Sequence, residues 1–84
     1  MGARVKMPQN LDTLLRSELE RAIYESALHA DDALIARRYL VEKVAQIDIA
    51  AELGWERSTI SRRLPVILSR VEWSAAKLFG PSKS

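Results

Sequence analysis

Cysteine is absent from this chain, which excludes a disulfide framework and a thiolate metal site. A reducing, cytoplasmic setting is the expectation that fits. Histidine occurs once, as His29 in a turn-like stretch, which excludes a histidine-rich metal spacing, and no Ser, His and Asp grouping stands out in the sequence. The three glycines are scattered and form no phosphate-cradling loop. No apolar run approaches the ~20 residues that cross a bilayer, and the first residues lack the apolar stretch of a secretory leader. No membrane role and no cofactor are expected, and nothing in the residues suggests an enzyme.

What is present is charge, unevenly placed. The net charge is only +2. Residues 1–36 set Arg4, Lys6, Arg16 and Arg21 against Asp12, Glu18, Glu20, Glu25, Asp31 and Asp32, a balance of −2. Residues 57–84 set Arg57, Arg62, Arg63, Arg70, Lys77 and Lys83 against Glu72 alone, a balance of +5. The C-terminal part suits a polyanion, and the N-terminal part suits solvent or a protein partner.

The apolar period is helical throughout, predicting one all-α domain over 10–80, with an arm at 1–9 and a tail at 81–84. A first helix, capped by Asn10 or Asp12, is expected to run to about Leu28. Leu11, Leu14, Leu15, Leu19, Ala22, Ile23 and Ala27 form its inward stripe. Asp31 or Asp32 caps a second, from about Ala33 to Glu42, which buries Leu34, Ile35, Tyr39 and Leu40. A third spans about Gln46 to Leu53 and ends at Gly54. A fourth starts at Arg57. Pro65 cannot donate to the carbonyl of Ser61, so the chain is expected to stop or kink there. A fifth helix then covers Val66 to Phe79. The fold expected is therefore a four- or five-helix domain without a wing.

Residues 46–64, QIDIAAELGWERSTISRRL, have the layout of a helix-turn-helix. Ala50 is small where two helices would cross, Gly54 supplies the left-handed turn, and Ile49, Leu53 and Ile60 fill the space beneath. The second helix then points Ser58 and Arg62 outward, with Thr59 and Ser61 beside them and Arg57 at its start. Arginine matches the paired acceptors of guanine, and serine or threonine can meet a base or a phosphate. Arg63 lies to the side and reads as a phosphate contact, as do Gln46, Thr59 and Arg70.

The stretch from Tyr39 to Leu68, with IDIAAELG followed by STISRRL and preceded by ARRYLVEKV, resembles region 4 of bacterial sigma factors and small sigma-like proteins of phages and mobile elements. STISRRL alone also resembles the reading helix of winged-helix repressors of the leucine-responsive type. The resemblance implies a second motif helix in the major groove, with reader roles for Arg57, Ser58, Ser61 and Arg62. Pro65 departs from it, as do Ala45 and Glu56, which stand where serine or threonine often caps the two motif helices.

The expected function is sequence-specific binding of double-stranded DNA in transcriptional control, as a homodimer on paired half-sites. Two other readings use the same features: a sigma-like module that docks on RNA polymerase or another regulator, and the DNA-recognition subunit of a phage packaging machine. Trp55 reads as an apolar plug rather than a stacking residue. Trp73 reads as a half-buried surface residue or a dimer contact. Asp48 and Glu52 lie one turn apart without a third ligand, and read as a solvated face.

Overall fold

The computed structural model describes Leu11 and residues 13–80. Asn10 and Asp12, the expected caps of the first helix, lie outside the described residues. Among the described residues four α-helices follow in order: α1 (Arg16–Glu25), α2 (Ala30–Ala36), α3 (Gln46–Leu53) and α4 (Arg57–Phe79). A single π-helical turn, Arg37–Val41, extends α2. No strand occurs among the described residues. None of their helices is long and apolar enough to cross a membrane.

α4 is the central element, packing against α1, α2 and α3. Ile60, Leu64, Ile67, Leu68, Val71 and Ala75 form its buried stripe. Leu19, Ala22 and Ile23 of α1, Ile35 and Ala36 of α2, Leu40 of the π turn, and Ile49 and Ala50 of α3 close around it. Leu11 is buried with them.

α1 begins later and ends earlier than its apolar period suggests. Leu15 is its N-cap and is exposed; its N–H donates to the Glu18 carboxylate at 2.9 Å. Leucine has no acceptor to return that bond, so this is half of a capping box. At the other end Ser26 caps the helix, its hydroxyl donating to the Ala22 carbonyl at 2.6 Å. Ala27 then takes a left-handed φ of 53°. Ala27 is therefore exposed in a turn, not part of the inward stripe.

α2 begins at Ala30 with His29 as N-cap, so Asp31 and Asp32 occupy its first turn, where their charge opposes the positive dipole end. In the π turn the Glu42 N–H reaches back to the Arg37 carbonyl at 3.0 Å. The wider turn keeps Leu40 in the core while Arg38 points outward.

The expected break at Pro65 does not occur, and the separate fourth and fifth helices are one helix of 23 residues. Pro65 is solvent-exposed. The missing bond and local clash cost about 3 kcal/mol. Burying Leu64, Ile67, Leu68 and Val71 on either side is worth roughly 1.5–3 kcal/mol apiece, so tertiary packing outweighs the local rule.

Candidate nucleic-acid interface

α3 and α4 meet through a turn whose geometry is closed by backbone bonds. Gly54 has φ 73°, and its N–H donates to the Ala51 carbonyl at 3.3 Å. The Trp55 N–H donates to the Ala50 carbonyl at 2.8 Å. This pair of bonds is a Schellman motif, with Trp55 supplying the apolar contact that accompanies it. Ile49, Ala50 and Ile60 are buried beneath the joint, and Leu53 packs on it. One side-chain bond crosses it: the Ser61 hydroxyl donates to Gln46 Oε1 at 2.7 Å. The first residue of α3 is thereby tied to the second turn of α4.

The residues singled out as readers and phosphate contacts separate into two groups. Arg57, Ser58 and Arg62 are exposed on α4, and so is Arg70 two turns beyond Arg62. Arg57, Arg62 and Arg70 form no ion pair among the described residues. Ser61, Gln46 and Arg63 are engaged within the chain. Arg63 donates through Nε and Nη2 to Asp32 Oδ1, at 3.0 and 2.8 Å, and lies 5.1 Å from the Trp55 ring centroid. Thr59 is half-buried beside them.

Of the described arginines outside α4, Arg16, Arg37 and Arg38 are paired and Arg21 is not. Arg38 bonds both oxygens of Glu52 and also Glu42, joining the π turn to α3. Its hydrogen bond holds the Glu52 carboxyl below the usual carboxylate range, and the two acids hold the Arg38 proton more firmly than usual. Arg16 and Arg37 share Glu20. Glu52, read from sequence as a solvated face with Asp48, is thus an interhelical partner. Arg16–Glu20 and Arg38–Glu42 have a local signature, an i,i+4 spacing. Asp32–Arg63 spans 31 residues and leaves no trace in a linear pattern.

Neither α3 nor α4 has a side-chain cap: Ala45 precedes α3 and Glu56 precedes α4, both in extended backbone. Comparison with protein-family models, curated proteins and solved structures finds no match to the chain.

Chemically, α4 offers the uncommitted Arg62 guanidinium and the Ser58 hydroxyl on one exposed face, with Arg57 at its start and Arg70 further along to one side, on a helix that the core clamps. Guanidinium forks suit phosphate oxygens and the guanine edge alike. A rigid mount lets such a face discriminate positions rather than merely attract charge.

Proposed function

We propose that the chain binds double-stranded DNA, with α3, the Gly54 turn and the first two turns of α4 acting as a helix-turn-helix of the sigma region 4 type in transcriptional control. The observation that carries this reading is that Arg57, Arg62 and Arg70, three of the four arginines of α4, are exposed and form no ion pair among the described residues, whereas Arg16, Arg37 and Arg38 each share a carboxylate and, of the described arginines outside α4, Arg21 alone does not. Unpaired, exposed guanidinium groups carried on one helix suit a phosphate backbone and a guanine edge.

In this reading Arg57, Ser58 and Arg62 meet base edges, and Arg70 meets a phosphate. Ser61 and Gln46 set the register of the two helices through their mutual bond. They can share that bond with DNA because the Gln46 amide nitrogen remains a donor. Arg63 meets a phosphate once it leaves Asp32. Such a small unit reads few base pairs, so the proposal includes a homodimer on half-sites about one DNA turn apart. No catalytic step is assigned to the chain, and the cytoplasm is the proposed setting.

A second reading draws on a separate observation. Tyr24 is 82% exposed and Leu15 66% exposed on α1, beside Glu18, Glu20 and Glu25. That mixture suits a protein partner such as RNA polymerase.

Selection from a randomised duplex library separates the two. The DNA reading expects an enriched sequence for the native chain and relaxed selectivity at one position for Arg62→Ala. Recovery of no duplex, together with capture of polymerase that is lost on Tyr24→Ala, would favour the docking module.

A further inference from the structure

Apart from Arg70, the second half of α4 carries chemistry that the duplex reading leaves unused. A groove of about 420 Å³ runs between it and the end of α1, walled by Glu25 and Ser26 on one side and by Arg70, Trp73 and Lys77 on the other. Its size falls within the roughly 300–1,000 Å³ of ligand sites. Trp73 is 68% exposed, so the expectation of a half-buried ring understates it. The Lys77 ammonium sits 4.5 Å from the ring centroid, covering one face. Ser58, Arg62, Val66, Ser69 and Trp73 follow one another along the side of α4 opposite its buried stripe.

Charge decides what the groove suits. Arg63, Arg70 and Lys77 recur every seven residues, forming one edge of α4 with cations about 10 Å apart. Glu72, the one acid of α4, stands two residues from Arg70 and so on the other side of the helix. Within the groove Glu25 faces two cations and forms an ion pair with neither. Two-fold pairing of copies here would set Arg70 of one against Lys77 of the other, because the groove's midpoint on α4 lies between them. A polyanion neutralises that surplus, whereas a second copy repeats it.

We propose that this groove binds single-stranded nucleic acid, with one base stacked on the open face of Trp73 and the flanking phosphates held by Arg70 and Lys77. Aromatic rings stack on any base, and neighbouring cations follow the backbone, which is the chemistry of sequence-tolerant single-strand sites. The Glu25 carboxylate on the opposite wall can accept from a base amino group, and the Ser26 hydroxyl is already committed to Ala22. Arg62 lies about 16 Å along the same helix. A chain using both ends of α4 would sit where duplex meets single strand.

The test titrates the full-length chain with oligothymidylate on the order of eight nucleotides long, and separately with a hairpin duplex, at ~50 mM salt. Tryptophan fluorescence and the anisotropy of labelled oligonucleotide are the readouts. The expected result is quenching by oligothymidylate, with Trp73→Ala weakening that binding about tenfold or more and Trp73→Phe recovering part of it. Arg70→Ala/Lys77→Ala weakens it as well, and hairpin binding by Trp73→Ala stays as in the native chain. Circular dichroism checks that each variant is folded. The proposal is overturned if oligothymidylate does not bind, or binds Trp73→Ala as tightly as the native chain. It is also overturned if sedimentation shows native dimers that Trp73→Ala loses while fluorescence ignores the oligonucleotide. A chain that holds oligothymidylate through Trp73 but ignores the hairpin would defeat the duplex reading and leave this site standing.

Discussion

Asp32, in the first turn of α2, holds Arg63 on α4 through two hydrogen bonds to a single carboxylate oxygen, at 2.8 and 3.0 Å. Asp32 is the less exposed partner, at 18% of its side chain against 43% for Arg63. The pair fastens two helices and, on the proposed DNA reading, withholds one guanidinium from the duplex. Asp32→Asn should therefore separate stability from binding. Loss of the pair is expected to cost about 1 kcal/mol, since the site is partly solvent-screened. Duplex binding should tighten a few-fold and its salt dependence steepen by about one phosphate contact. Urea melts and anisotropy titrations read the two effects, and unchanged binding would mean that Arg63 has no part in the DNA face.

Gly54 turns the chain from α3 into α4 at φ 73°. A Cβ added there meets no atom within 4 Å, so Gly54→Ala should suffer only the backbone cost of the left-handed region, about 1–2 kcal/mol. Denaturant melts measure it. A loss several times larger would show that the turn needs more than glycine's conformational freedom.

Pro65 sits inside α4 on its solvent side. Pro65→Ala restores a donor to the Ser61 carbonyl and removes the ring clash, so it should raise stability by about 1–3 kcal/mol. Thermal melts test this, and a destabilised variant would show that α4 requires the ring where it stands.

Glu52 owes its lowered pKa to hydrogen bonds from Arg38. A carboxylate depressed by folding stabilises the chain above its ordinary pKa of about 4.3. That contribution is lost as pH falls through the lower folded value. Glu52→Gln should melt earlier at neutral pH and lose less stability between about pH 5 and about pH 3 than the native chain. Parallel acid limbs would contradict it. The effect should also shrink with added salt, because the pair is exposed.

Much of this architecture is legible along the chain where its causes are local. Gln46–Leu53 carries its own period and its own terminator, and both appear in the structure where the residues place them. Pro65 misleads because the proline rule is local, while the persistence of α4 is settled by Leu64, Ile67, Leu68 and Val71 packing on three other helices. Ala27 misleads in the opposite sense: it fits the apolar stripe of α1, yet the chain turns there through a left-handed residue. Among candidate interface residues, the exposure of Ser58 and Arg62 follows from helical spacing. The engagement of Ser61 with Gln46, and of Arg63 with Asp32, depends on tertiary contacts 15 and 31 residues apart.

The central claim is that α4 presents its unpaired arginines to duplex DNA, and duplex binding as a function of salt tests it most directly. Anisotropy from ~50 to ~200 mM salt, for the native chain, Arg62→Ala and Arg70→Ala, separates base from phosphate contacts. The account predicts binding that weakens steeply with salt. Arg62→Ala should lose about 1–3 kcal/mol on the selected sequence and little on others. Arg70→Ala should weaken all sequences alike, with a slope shallower by about one. Absence of duplex binding at the lowest salt, or equal losses from both substitutions on every sequence, would contradict it.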